Sequence, residues 1–252
     1  MNASSRATGS AARRAKASIE TILRPLCTLC VTVTPENAQE SSPKRLPLVV
    51  WTLLALNVII YLWDRNFRIF GGSVTFADLT MHPREVVEAI PVLGFPLVTI
   101  LTSMFLHGGL THLLGNLVFL YVFGPGVEDA IGGVRLALYY IAWGVAAAAA
   151  QIWVNPYTLV PTLGASGAIG GVLGAYFLLF PSSKLEVLIP FLEFEAPAWL
   201  LLGGWFLFQI FVRQEGVANW AHAGGFLAGM FTVLILGGRS AVLKNRPDLQ
   251  EY

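Results

Sequence analysis

Between residues 136 and 183 the chain carries neither a charged residue nor a histidine. Soluble domains are roughly a quarter charged and rarely run so far without a charge. The stretch also exceeds the ~20 apolar residues that one helix needs to cross the hydrocarbon core of a bilayer. NPYTLVPTLG, residues 155–164, holds two prolines and divides it into two helices. Charge-free runs recur at 46–63, 89–127, 196–212 and 216–238. The second of these is broken by Gly94, Pro96, Gly108 and Gly109, so its regular helix is expected over 110–123. Six spans within 46–238 therefore describe an all-α polytopic membrane protein. Of 252 residues, 55% are hydrophobic and 12% charged, which agrees.

Lysine and arginine bias sets the expected orientation. With the N-terminus in the cytoplasm, twelve of these residues fall inside, while Arg65, Arg68, Arg84 and Arg213 fall outside. Both termini are thus expected to be cytoplasmic. Trp51, Trp63, Trp153 and Trp199 lie near predicted span ends, where amphipathic rings settle. Residues 1–45 are rich in Ser, Ala and Arg and acid-free before Glu20. They read as a disordered cytoplasmic tail, with a mitochondrial presequence as the alternative. Residues 239–252 read as a short cytoplasmic tail. The first apolar run is a full span, so no cleavable signal peptide is expected. Cys27 and Cys30 form one C-x-x-C without the second pair that a zinc ribbon requires, which leaves an incidental pair or a redox or palmitoylation role. A net charge of +1 and no basic stripe argue against nucleic acid as a partner.

Few polar groups interrupt the apolar runs. His107, His112 and Asn116 precede or open the second span, Ser166 lies in GASGAIGGVLGAY at the fourth, and His222 lies in ANWAHAGG at the sixth. Every even-numbered span starts at the same membrane face, so topology alone brings these groups to a similar depth. His112 and Asn116 are four apart and share one helix face, about 6 Å apart along its axis. Gly164 and Gly167 flank Ser166 and allow a tight turn into a helix, whose first N–H groups are free to meet an anion. A neutral imidazole at His222 could accept a serine proton near pH 7. Ser166 could equally be one small residue among Gly167, Gly170, Gly171 and Gly174, which form overlapping helix-packing patterns. Histidines in a membrane can also ligate zinc or carry protons. Further ligands at helical spacing are missing, and the spans contain no Asp or Glu for a relay.

Four segments, TSMFLHGGLTHLLGN (102–116), GPGVEDAIGGVR (124–135), GASG (164–167) and AHAGGFLAG (221–229), together resemble the rhomboid intramembrane serine proteases. The resemblance covers about 46–238 and implies a basic six-helix rhomboid bundle. It implies Ser166 as nucleophile and His222 as general base, a dyad without a third acidic member. His112, Asn116 and the Ser166 N–H would form the oxyanion hole, where one lost donor costs roughly 3–4 kcal/mol of barrier. His107 would support the loop before the second span. Glu128 and Arg135 would belong to a cytoplasmic turn, and Gly225 and Gly229 would let the sixth helix approach the fourth. Two places depart from the family pattern. Val98 and Thr99 stand where a Trp-Arg pair is common, and Gly170 stands where many relatives place an aromatic ring beneath the histidine.

The expected activity is serine endopeptidase cleavage of transmembrane segments of other membrane proteins, with no cofactor and no metal. The partners are substrate transmembrane helices and the lipid bilayer, and the oligomeric state is open. Phe206, Phe208, Phe211 and the loop 213–219 are candidates for a substrate gate, against the plain alternative that the rings face lipid. The rival functions are a catalytically silent rhomboid-like factor that binds or traffics membrane proteins, and a small transporter. A bacterial inner membrane is the expected location, with the mitochondrial inner membrane as the alternative.

Overall fold

The long helices all draw on the charge-free runs. The computed structural model describes residues 30–33, 46–70, 74–189 and 192–250. In chain order its labelled elements are β1 (Cys30–Val33), α1 (Leu48–Asp64), α2 (Pro83–Ala89), α3 (Leu110–Ile131), α4 (Gly133–Val154), α5 (Ser166–Leu179), β2 (Lys184–Ile189), β3 (Leu192–Pro197), α6 (Ala198–Phe211), α7 (Asn219–Ile235) and α8 (Gly238–Val242). By length and composition α3 and α4 can cross a membrane, whereas α1, α5 and α6 are apolar but shorter. The 14 residues of α5 span ~21 Å, against ~33 Å for the 22 of α4.

Two expectations change. The fold is mostly helical but not all-α: β1, β2 and β3 form a three-stranded sheet in that order. β1 runs antiparallel to β2, with Cys30 opposite Leu188 and Val33 opposite Leu185. Residues 184–187 and 192–195 each alternate polar and apolar positions, the period of a strand. Leu185 and Val187 are buried, and Lys184 Nζ lies 3.3 Å from Glu195 Oε2. The stretch expected to be a disordered tail therefore contains a strand, while Cys27 and most of that tail lie outside the described residues. In the helical unit, α3 does not stop at residue 123 but continues through Pro125 to Ile131. The flanking glycines explain the tolerance, since a Cβ at Gly124 would sit 2.7 Å from Val50 Cγ2 and one at Gly126 3.2 Å from Tyr176. Helix α3 is held between neighbours on both sides at the point where proline removes a hydrogen bond.

At the Ile131 end of the bundle, Glu128 closes the start of α1. Its two carboxylate oxygens accept the N–H groups of Val49 (3.0 Å) and Val50 (2.8 Å), orphan donors that no side chain from α1's own cap position meets. Arg135 is exposed early in α4 and makes no ion pair with the described residues. Arg246 instead grips Asp129 on α3, with Nη1 2.6 Å from both Oδ1 and the backbone carbonyl. Arg239 donates to Leu179 O at 2.8 Å, and Leu243 is fully buried. Residues 238–250 are thus folded against the ends of α3 and α5.

The contact of α5 with α7 is made by backbone. A Cβ at Gly170 would lie 2.8 Å from His222 O. At Gly225 and Gly229 it would overlap the carbonyls of Gly167 and Gly171, and at Gly174 that of Phe226. Only hydrogens fit between these helices, an approach that small residues permit and that supports weak Cα–H to carbonyl contacts. The long connection 65–109 covers the other end. Met81 pairs with Thr162 as an antiparallel bridge, Arg84 N donates to Thr158 O, and Gly164 N donates to Ser103 O at 2.8 Å.

Candidate active site

Ser166 is the first helical residue of α5, and His222 lies in the first turn of α7. Because those helices touch backbone to backbone, Ser166 Oγ and His222 Nε2 come to 2.8 Å, a hydrogen bond with the hydroxyl as donor if the ring nitrogen is bare. The pair lies at a cavity of about 990 Å³. His112, Asn116, Gly164, Trp205 and Phe208 also line it.

His112 and Asn116 stand on successive turns of α3 and reach the same place. Gly164 adopts φ +119°, a conformation that side chains strain to reach, and a Cβ there would lie 2.7 Å from the His112 ring. Its Cβ direction also faces Asn116 Nδ2, at 3.7 Å. Glycine is therefore required twice over, by dihedral and by space. Gly167 packs against α4, where a Cβ would meet Ala147 Cβ at 2.7 Å. Asn116 Nδ2 is buried and finds no acceptor among the described residues. The first N–H groups of α5 likewise have no carbonyl one turn earlier in their own helix. The cavity thus holds a hydroxyl, an imidazole and several donors without a matching acceptor, a set suited to a substrate oxygen that gains negative charge.

His107 is fully buried behind this set. Its ring meets that of His112 edge-on at 5.3 Å, and its Nδ1 lies 3.2 Å from Phe105 O. Arg65 Nη2 donates to His107 O at 2.9 Å, and Arg65 is itself buried beside Asp64, 3.4 Å away. Asp64 accepts the N–H of Phe76 at 2.9 Å. With Val98 and Thr99 in place of a Trp-Arg pair, this buried pair ties the long connection to the end of α1. Two residues past an apolar run, Arg65 reads in the sequence only as a loop charge.

Gly170 has a direct reason: the backbone of His222 occupies the space an aromatic ring would need. The ring beside the imidazole comes from α6 instead. Trp205 lies 5.9 Å from His222, tilted by 30°. One turn on, Gln209 places Oε1 2.9 Å from His222 Nδ1. Sequence reading passed over Gln209, although a lone amide in the charge-free run 196–212 is a signal of the same kind as Asn116. Of the proposed gate residues, Phe206 stacks on Phe226 of α7 at 4.7 Å, Phe208 lines the cavity and Phe211 is exposed. Among the described residues no three His, Cys, Asp or Glu side chains converge as a metal site.

Apolar helices that bring a serine and a histidine into hydrogen-bond contact at a cavity describe a helical membrane protein with a candidate nucleophile and base. The rhomboid domain profile matches residues 95–239. The chain is 31% identical over 191 residues to the rhomboid protease GluP of Bacillus subtilis (76% of this chain, 35% of that protein). It is 30% identical over 214 residues to the mitochondrial rhomboid protein 1 of Saccharomyces cerevisiae (79% and 55%), and 35% identical over 139 residues to the putative rhomboid protease YdcA of Bacillus subtilis (54% and 64%). The chain spans between a third and two thirds of the length of these relatives. It belongs to the rhomboid family.

Proposed function

We propose that this chain is an intramembrane serine endopeptidase that cleaves transmembrane segments of other membrane proteins. The observation that carries the reading is the 2.8 Å bond between Ser166 Oγ and His222 Nε2 at the cavity. In the reaction, Ser166 Oγ attacks the scissile carbonyl while His222 Nε2 takes its proton. The carbonyl oxygen becomes an oxyanion that the Ser166 N–H, Asn116 Nδ2 and His112 stabilise, and Asn116 Nδ2 has no acceptor among the described residues. The imidazolium then protonates the leaving amine, and water hydrolyses the acyl-enzyme by the same steps in reverse roles. His107, Gly164, Gly167, Gly225 and Gly229 hold the parts in register, and Glu128 holds α1 to α3.

The proposed setting is a six-helix bundle in a bacterial inner membrane with both termini cytoplasmic. In that setting the short α5 matters, because ~21 Å of helix cannot fill a ~30 Å hydrocarbon core. Ser166 would then start below the membrane face, with water reaching it through the cavity. A substrate helix must unwind there, because an intact helix keeps its carbonyls in backbone hydrogen bonds. The test is labelling by a serine-directed fluorophosphonate, together with cleavage of a single-pass substrate in liposomes. Both are expected in the wild type and neither in Ser166→Ala. A wild type that binds the substrate helix without cleaving it or labelling would favour the silent membrane-protein-binding alternative.

A further inference from the structure

The dyad expected from the family has no third member, yet His222 Nδ1 has a partner. Gln209 sits in the last turn of α6, one turn beyond Trp205, with only 5% of its surface exposed. Its Oε1 lies 2.9 Å from His222 Nδ1 and 3.2 Å from Asn219 Nδ2. Asn219 opens α7 and is also buried.

The direction of this chain of bonds is dictated from its backbone end. Asn219 Nδ2 lies 3.0 Å from Val212 O, which can only accept, and Asn219 Oδ1 lies 3.4 Å from Gln214 N, which can only donate. The Asn219 amide therefore has one orientation, and it turns its second N–H toward Gln209. The Gln209 atom that receives it must be the oxygen, which has two lone pairs. The second lone pair faces His222 Nδ1, so that nitrogen carries the proton. A neutral ring protonated at Nδ1 leaves Nε2 bare, facing the Ser166 hydroxyl.

We infer that Gln209 is a positioning residue: through its Oε1, oriented by Asn219, it holds His222 in the Nδ1–H tautomer that makes Nε2 the base. The inference rests on the proposed protease reading for its role in catalysis, but the tautomer itself does not. After proton transfer the Nδ1–H bond to Gln209 persists and strengthens, because its donor is now charged. A neutral amide thus does the orienting work that a carboxylate does in a serine–histidine–aspartate triad, without placing a further ionised group among apolar helices.

The test uses the full-length chain in detergent, labelled with ¹⁵N-histidine, with the His222 signals assigned by their loss in His222→Ala. At neutral pH the wild type is expected to show a protonated Nδ1 and a bare Nε2. Gln209→Met should give a mixture of tautomers. In the protease assay Gln209→Met should lower kcat about 10- to 100-fold, the range seen for partners that orient a metal-bound imidazole, with KM changed less than about twofold. Gln209→Glu keeps an acceptor for both neighbours and should restore kcat. Its acid limb should move to higher pH, because a carboxylate beside the ring favours the imidazolium that cannot act as base. A wild-type His222 protonated at Nε2, or a Gln209→Met enzyme with unchanged kcat and pH profile, overturns the inference. A wild type that shows the expected tautomer yet cleaves nothing supports the hydrogen-bond assignment and sinks the protease reading instead.

Discussion

The two ends of the helical bundle treat their polar groups in opposite ways. At the Ile131 end of α3, Glu128 meets two N–H groups, Arg246 meets Asp129, and Tyr176 Oη bonds Ser183 Oγ at 3.1 Å. There these side chains each find a partner on another segment. At the Leu110 end, Asn116 Nδ2 has no acceptor among the described residues, and the first residues of α5 line a cavity. Leaving a buried donor unpaired costs about 1–3 kcal/mol. On the proposed reading that cost is offset when a transient charge meets the donors, whereas the contacts at the other end only hold the fold together.

Substitutions at the two ends should therefore separate activity from stability. The largest expected effect is at Ser166→Ala, which should abolish fluorophosphonate labelling and reduce substrate cleavage by more than about 10³-fold. Thermal unfolding in detergent should barely change, since the hydroxyl is one small group at a cavity. Residual cleavage above a tenth of wild type would break the comparison at its strongest point. Next comes Asn116→Ala, expected to lower kcat about 10²- to 10³-fold. It should leave stability nearly unchanged, because the amide has no acceptor to lose. A large loss of stability with unaltered kcat would show that Asn116 is structural after all.

Glu128→Ala should invert that pattern. Removing the carboxylate strands two N–H groups at the start of α1, so stability should fall by about 1–3 kcal/mol while kcat per folded molecule stays near wild type. Denaturation curves paired with active-site titration check both halves. The smallest effect belongs to the C-terminal segment. Hydrogen bonding from Arg246 holds the Asp248 carboxyl below its ordinary range. A carboxyl depressed in the folded state contributes stability that is present above its unfolded value of about 3.9 and lost as pH falls through the folded one. The pair is largely solvated, so the contribution should lie within about 0–1 kcal/mol. Hydrogen exchange at the Leu243 amide, bonded to Arg239 O, should quicken below that pH in the wild type, and Arg246→Ala should remove the dependence.

Much of the site was legible before any fold was known. Ser166, His222, His112 and Asn116 stand out because polar groups are costly within charge-free runs, and the alternation of span direction puts them at one depth. Gln209 obeyed the same rule but escaped notice, because an uncharged amide interrupts an apolar run less visibly than a histidine. Asp64 and Arg65 went unmarked, and Glu128 was expected in a turn and not within helix α3, for another reason. Charges at the ends of apolar runs usually face water, and only packing reveals that these are enclosed. The strands around 184–197 were written in a period-two pattern, but two short apolar patches beside long helices carry little weight until a third strand pairs with them. Helix α3 outran its expected end because local propensity stops at Gly124 and Pro125, whereas contacts with α1 and α5 continue past them.

Sequence alone determined where the chain avoids charge, and hence which segments become helices and which polar groups remain among them. That follows from transfer energetics, which depend on residue type and length. Tertiary structure decided which of those groups meet. Glycine faces on α5 and α7 bring the hydroxyl to the imidazole, and an amide from α6 turns the imidazole the right way. Those distances depend on how backbones pack, and no local pattern encodes the contact between helices far apart in the chain.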